Sequence, residues 1–530
     1  MVARSILDLL EASTARFENA DAFVYGETRL SYAYFSNVVS RLATGLSRTG
    51  VKPGHRVALM MPNLPQFPIA YYALLSLGAV VVPVNILLRE AELEYLLQDA
   101  QIQGVITWEG FGRYLLPAAR NVESCQNFAI LGQASPEFNE MVKPYVLCDL
   151  TKLIADSSPL APRPAMSGEE PAAIFYTAGV NGTPRGAVHT HASLAAAVTA
   201  CWEALAVDHQ HRFAAALPLF HGLGQMLTMN LSLAAGAGCV LMPRLNVTEV
   251  VAMLAREHVT HFAAVPAMLR LLLDGLSPNG APVIPEPALA PATHGHDLSS
   301  LRAFFVSGAP LEQTLRDQLR NVFDKPVYEG YGIAECSPLI TCNRPDITIR
   351  PGSVGKQLPG LEVTIMDHAG AELPPGEIGE IVVRGNAIMS GYYHRPQETQ
   401  VALREGWLYT GDAGWLDTGG YLYLVDRQCD VIRKGGFPVF SQEVERCLMF
   451  HPAVQSCAVI GVPDRVWGEE VKAFVVLRPQ LAVSREELYG FCASRLAKYK
   501  CPRIFEFCSE LPHGPTGRIQ KRMLREKSGN

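Results

Sequence analysis

Apolar residues recur at helical spacing from Tyr32 to Arg48 and from Pro65 to Leu77, while compact Val/Ile/Ala/Leu blocks occupy His55–Leu59 and Ala79–Pro83. The first pattern predicts helices that bury one face, and the second predicts short buried strands. Their alternation predicts a layered α/β architecture. Two such blocks extend to about residue 345, with no repeat of solenoid period. A further apolar block, Ala172 to Thr177, reads as a buried strand. It breaks into Gly179, Gly182, Pro184 and Gly186 before Ala187–Thr190 resumes an extended pattern.

From Gly352 to Val425 the pattern changes to short strands between Gly and Pro turns, at Leu361–Ile365, Glu380–Arg384 and Tyr421–Val425. This predicts a β-rich subdomain closing the large N-terminal body. After Asp426-Arg427 a small hairpin is expected, then a helix from Ser441 to Leu448 and strands at Val454–Val462 and Ala473–Leu477. A compact α+β cap of roughly 100 residues suits ordinary domain size. The predicted division is 1–426 and 427–530, a large α/β domain of two layered subdomains plus a β-rich one, with a small mobile cap. Ser277–Ser300, rich in Pro, Ala and Gly, lacks periodicity and predicts a mobile surface loop that exposes His294 and His296.

Composition narrows the classes. A chain of 530 residues with 48% hydrophobic and 18% charged residues is an ordinary globular protein of more than one domain. Its formal charge of −6 offers no basic face for nucleic acid. The N-terminus carries acids inside its apolar stripe and predicts an amphipathic helix rather than a signal peptide. The tract from Tyr71 to Leu88 is interrupted by Ser76, Pro83 and Asn85, and predicts a helix then a strand rather than a membrane span. Twelve cysteines without a Cys-x-x-Cys pair argue against structural zinc or a secreted disulfide scaffold. Reduced thiols in a cytoplasm are expected.

The chemistry sits in the glycine-rich break. Glycines after a strand let backbone N–H groups converge on a phosphate, yet no Gly-Lys-Ser/Thr opens a helix, so this is not a Walker A loop. Further landmarks follow in order: Leu217-Pro-Leu-Phe-His-Gly222, Val306-Ser-Gly-Ala-Pro-Leu311, Tyr328-Glu-Gly-Tyr-Gly-Ile-Ala-Glu335, Gly391-Tyr392, Tyr409-Thr-Gly-Asp412, Asp426-Arg427, Lys434-Gly-Gly436 and Pro515-Thr-Gly-Arg518. Together they resemble the adenylate-forming superfamily of acyl-CoA synthetases, luciferases and peptide-synthetase adenylation domains, over essentially the whole chain. Gly461–Glu469 and Tyr499–Pro502 resemble the CoA ligases in particular.

The resemblance implies two half-reactions. A carboxylate attacks the α-phosphorus of ATP, and the thiol of CoA then displaces AMP from the acyl-adenylate. Such transfers need positioning and charge neutralisation above all. On this reading Gly308, Ala309, Pro310, Glu329, Gly330, Tyr331 and Gly332 form the adenine slot, with Tyr331 as its flat face. Asp412 accepts the ribose hydroxyls, and Arg427 lies on the hinge side near ribose and phosphate. Glu335 matches the carboxylate that holds magnesium, and His221 lines the acyl channel. Thr177, Ala178, Gly179, Val180, Asn181, Gly182 and Thr183 make the phosphate loop, with Arg185 as its cation. Gly435, Gly436 and Phe437 flank the pantetheine arm, where absence of a Cβ at Gly436 matters. The implied partners are a small carboxylic acid or its adenylate and CoA, in a monomer or homodimer.

Departures from the family pattern cluster on the triphosphate side. Ala178, Val180 and Asn181 stand where hydroxyls belong, Arg185 replaces the loop lysine, and Ala334 replaces a common threonine. Arg518 replaces the late lysine that bridges the attacking carboxylate and the α-phosphate. A planar guanidinium prefers bidentate partners, so the exchange is not conservative. Lys521, three residues on, is expected to face solvent. The hinge position carries Cys429. Adenine, ribose and pantetheine positions are kept. This asymmetry predicts an enzyme that transfers an acyl group from a preformed adenylate to CoA, supplied by a separate adenylating enzyme. It resembles the non-adenylating ligases of split pairs, as in platensimycin-type secondary metabolism. Two alternatives stay open: a complete ATP-dependent acyl-CoA synthetase, and a non-catalytic nucleotide-binding relative.

Overall fold

The computed structural model describes residues 4–528 apart from 89, 160–165, 179–183, 244–246, 277–295, 428–429, 435–436, 465–466, 497 and 514–518. The described residues form two compact units, one of those up to 362 together with 384–408, the other of those in 363–383 and from 409 onward. Of the stretch Ser277–Ser300 only the last five residues are described. His296 is exposed there, and His294 lies outside the described residues.

The elements form where the periodicity places them. The helix Tyr32–Arg48 starts at Ser31, whose hydroxyl accepts the Tyr34 N–H, and buries Phe35, Val38, Val39, Leu42 and Leu46 on one stripe. That cap and stripe are the ordinary determinants of a helix start and face. The tract from Tyr71 resolves into the end of a helix, Gln66–Ser76, and a strand, Val80–Pro83. Among the described residues no helix is long and apolar enough to cross a membrane.

Two large sheets build the first unit. One runs in the order Gly391–Tyr392, Pro184–Thr190, Pro171–Ala178, Val80–Pro83, Arg56–Met60, Gly104–Trp108, Asn127–Leu131 and Leu147–Asp149. Its strands from Pro171–Ala178 onward are parallel, whereas Pro171–Ala178 and Pro184–Thr190 form an antiparallel hairpin. The second sheet contains four parallel neighbours, Arg212–Ala215, His261–Ala264, Ala303–Val306 and Val327–Tyr331. Asp21–Tyr25 joins this sheet beside Gly238–Leu241. Helices over its faces close a core that includes Val250, Leu254, Phe262, Leu269, Phe304, Leu315 and Leu319.

The β-rich segment forms a five-stranded sheet in which Trp407–Leu416 lies between Gly379–Gly385 and Leu403–Arg404 and also pairs with Leu422–Arg427. The C-terminal sheet runs Phe437–Phe440, Val431–Lys434, Gly468–Leu477 and Val454–Asp464, with Ile504–Phe507 parallel to Gly468–Leu477. Ser441–Met449 and Arg485–Ala493 contribute Val444, Leu448, Leu488 and Cys492 to its core. The described cysteines are unbridged, and most are buried.

One buried histidine sets an acid sensitivity. His261 lies 6% exposed between the rings of Phe213 and Phe305. Burial, and then the neighbouring His211 and Arg302, push its pKa down to about 3. The unfolded imidazole takes up its proton near pH 6.5, the folded one only near 3. This contribution is therefore complete above pH 6.5 and is lost as the pH falls through that window, by about 1.4 kcal/mol per pH unit. His261→Phe is expected to flatten denaturant-measured stability between pH 6.5 and 4; an unchanged acid limb would refute the assignment.

Candidate active site

The sheet order explains why distant motifs meet. His221, Val265, Gly308 and Gly332 each follow the C-terminal end of one of the four adjacent parallel strands. In open parallel sheets, ligands bind outside those ends. Gly308 has φ +89°, and a Cβ there would lie 3.3 Å from Val265 Cγ1 and 3.8 Å from Leu223 Cδ2. A left-handed backbone and apolar walls therefore meet at this position.

Gly330 and Gly332, expected from the sequence to border adenine, have a packing reason of their own. A Cβ on Gly332 would lie 1.7 Å from the Pro338 carbonyl oxygen, and one on Gly330 would press on Leu339 and Thr341. The chain folds back on itself here, and Tyr331 is buried between the two. Glu329 is also buried. Its carboxylate pairs with Arg316 and accepts the Leu311 N–H at 3.3 Å. Its side chain thus ties down the loop carrying Ala309 and Pro310.

Thr177 and Arg185 are direct partners across the hairpin, and both reach Glu335. The Thr177 hydroxyl donates to Glu335 Oε1 at 3.4 Å, and the Tyr392 hydroxyl donates to the same oxygen at 2.8 Å. An Arg185 terminal nitrogen lies 3.8 Å from it, and the other lies 3.3 Å from Glu398. The guanidinium carbon sits 4.0 Å over the Tyr392 ring, a cation–π arrangement. Burial, and then the Glu335 charge, push the Tyr392 phenol well up, so it stays a donor.

Behind Glu335 stands His189, wholly buried against Phe175. Its Nε2 lies 2.8 Å from the Ala334 carbonyl oxygen and therefore carries the proton. Its Nδ1 accepts from the Ser337 hydroxyl at 2.5 Å. Burial pushes its pKa down to about 4. The neutral ring thus clamps both sides of the turn that carries Glu335.

In the second unit, Asp412 and Arg427 are cross-strand partners. The Asp412 N–H donates to Thr410 Oγ1, and the Gly411 N–H donates to Glu380. Phe437 stands opposite Lys434 in the C-terminal hairpin. Gly179, Val180, Asn181, Gly182, Thr183, Cys429, Gly435, Gly436 and Arg518 lie outside the described residues, as does the Ala178 side chain.

One expectation is overturned. Lys521 is 13% exposed, bonded to the Ser441 hydroxyl and 2.9 Å from Glu445, because the terminal helix lays it against the helix Ser441–Met449. Tyr392 as a donor, Glu398 as a second counter-charge and His189 as a clamp were not foreseen from sequence. Gly391-Tyr392 stood out as a landmark, but nothing in its spacing points to Glu335.

Magnesium does not fit these residues by themselves. Glu335 Oε1 already takes two hydroxyl donors beside a guanidinium whose charge opposes a divalent cation. Among the described residues no group of three His, Cys, Asp or Glu could hold a metal ion.

Residues 10–393 match the AMP-binding enzyme family, and residues 443–518 match the AMP-binding enzyme C-terminal domain. A long-chain-fatty-acid–CoA ligase of Bacillus subtilis is 32% identical, the match covering 99% of this chain and 95% of the relative. The anthranilate CoA ligase AuaEII in complex with anthranoyl-AMP superposes with a TM-score of 0.86 at 28% identity, covering 100% of this chain and 98% of that one. ATP-bound MatB from Rhodopseudomonas palustris gives 0.87 at 27%, covering 99% of each chain. This chain belongs to the AMP-binding enzyme family, in the acyl-CoA synthetase branch of the adenylate-forming superfamily.

Proposed function

We propose that this protein forms acyl-CoA thioesters chiefly from an acyl-adenylate, with a weakened adenylation half-reaction. The supporting observation is the placement of Arg185. The one described cation of the phosphate hairpin is turned onto Glu335 and Glu398 and stacked on Tyr392, only 19% exposed. To serve a triphosphate it would have to leave two carboxylates. The phosphate loop also lacks hydroxyls at Ala178, Val180 and Asn181.

Thioester formation asks less of these groups. The CoA sulfur attacks the acyl carbonyl carbon, the bond from that carbon to the AMP phosphate oxygen breaks, and the thiol proton passes to solvent. AMP leaves as a phosphate monoester, so no pyrophosphate need be expelled. In this proposal the adenine slot at Gly308–Gly332, the ribose partners Asp412 and Arg427, and Gly435–Phe437 beside pantetheine carry the reaction. Residues 427–530 act as a cap turning at Cys429. A separate adenylating enzyme supplies the intermediate in the cytoplasm.

A complete ATP-dependent ligase is the second reading. It is favoured by 32% identity to a long-chain-fatty-acid–CoA ligase along 99% of the chain, with Arg185 and Arg518 acting as lysines do. The test compares palmitoyl-adenylate plus CoA with palmitate, ATP and CoA, and repeats both arms over a panel of acids. The first reading expects the adenylate arm to be faster by at least about tenfold. Equal rates would establish the second, and no thioester in either arm would leave a nucleotide-binding relative.

A further inference from the structure

Gln225 is 1% exposed, and neither its amide nitrogen nor its amide oxygen has a hydrogen-bond partner. Buried carboxamides without partners are costly, and a native structure that keeps one calls for a reason. Its neighbours in sequence are buried: Leu223, Met226, Leu227 and Met229 are apolar, and the polar Thr228 and Asn230 are engaged elsewhere, Thr228 donating to the Gly224 carbonyl and Asn230 accepting from the Tyr72 hydroxyl.

Position gives the reason. His221 caps the short helix Gly222–Gly224 through Nδ1, which accepts the Leu223 N–H at 3.2 Å, and is itself exposed. The Gln225 N–H donates to the His221 carbonyl at 3.1 Å. That bond closes the first turn after the extended N-cap His221, so Gln225 lies one helical turn further in, buried where His221 is exposed. Gln225 also opens a π-helical turn, Gln225–Asn230. Such turns are rare and concentrate at functional sites. The same segment borders Gly222, whose missing Cβ would meet Phe175 and Pro338 at 3.8 Å.

We propose that Gln225 reads a hydrogen-bonding group inside the acyl substrate, so that the acid carries a hydroxyl, carbonyl or amide at that depth and not an uninterrupted alkyl chain. The inference rests on the ligase reading, in which His221 lines the acyl channel. A carboxamide offers one donor side and one acceptor side, which a hydroxyl satisfies from either direction. An alkyl chain there would leave both unpaired in an apolar wall.

The test measures binding without turnover. Decanoyl sulfamoyl-adenosine and its mono-hydroxylated counterparts, with the hydroxyl walked along the chain, are titrated calorimetrically against the wild type, Gln225→Met and Gln225→Leu. One hydroxyl position is expected to bind the wild type about ten- to a hundredfold more tightly than the plain decanoyl compound. Both variants should lose that preference while binding AMP as the wild type does, and the near-isosteric methionine guards against misfolding. No preferred position in the wild type, a preference kept by Gln225→Met, or no binding of any acyl analogue would overturn the inference. The ligase reading is judged separately by thioester formation: a hydroxyl preference without turnover removes that reading alone, and turnover without the preference removes this one alone.

Discussion

Replacing Arg518 with lysine is expected to raise acid-dependent pyrophosphate exchange by about a hundredfold, with thioester formation from acyl-adenylate and CoA unchanged. The adenylation transition state places charge between the attacking carboxylate and the α-phosphate. A compact ammonium fits that point, whereas a guanidinium is wider and prefers two parallel acceptors. One well-aligned donor in such a site contributes on the order of 3 kcal/mol. The proposed function assigns this residue to adenylation and not to thioester formation, and on that proposal only one half-reaction should respond. Robust exchange by the wild type, or an Arg518→Lys variant that exchanges no faster, would show that arginine already does the work.

A second large effect is expected in the C-terminal domain. Lys434 and Glu470 are each 4% exposed and paired with one another, and the Val471 N–H also donates to Glu470 at 2.8 Å. Lys434 closes the strand Val431–Lys434, immediately before Gly435 and Gly436. Removing Glu470 leaves the buried Lys434 charge uncompensated, and removing Lys434 leaves Glu470 only the exposed Arg503 at 4.0 Å; such losses typically cost about 3–5 kcal/mol. Lys434→Ala or Glu470→Ala should therefore destabilise this domain by that amount. The double variant Lys434→Met, Glu470→Leu should recover most of the loss, because an apolar pair of similar volume pays no desolvation. Hydrogen exchange of the amides in Val431–Lys434 and Gly468–Leu477 reads the local stability. A single variant with unchanged protection would mean that water reaches the pair.

The two effects differ in what reveals them. Arg518 stands out in the sequence pattern by itself. Lys434 and Glu470 do not, since thirty-six positions separate the partners and each looks like a surface charge in its own segment.

The same contrast runs through the fold. The helix Tyr32–Arg48 and the strands Arg56–Met60 and Val80–Pro83 appear within a residue of the boundaries that their patterning predicts. Each is encoded locally, by a cap, a 3.6-residue stripe or a compact apolar block. By contrast, Asp21–Tyr25 lies beside Gly238–Leu241, and the Tyr32 hydroxyl donates to the Ala237 carbonyl at 2.8 Å. No spacing in the intervening two hundred residues announces that pairing.

At the site, the ordered motifs alone were enough to mark the family, and they singled out Thr177, Arg185, His221, Gly308 and Glu335 as candidates, because each motif is a short run whose residue types suit one task. Only the folded chain decided whom those residues touch. It turned Arg185 onto Glu335 and Glu398, set Tyr392 as a donor, clamped the Glu335 turn with His189, committed Glu329 to Arg316 and drew Lys521 to Glu445. The physical reason is range. Backbone preference and hydrophobic period act over a few residues and leave their record in the sequence, whereas charge pairing and hydrogen bonding depend on distances that exist only after strands far apart in the chain have been laid side by side.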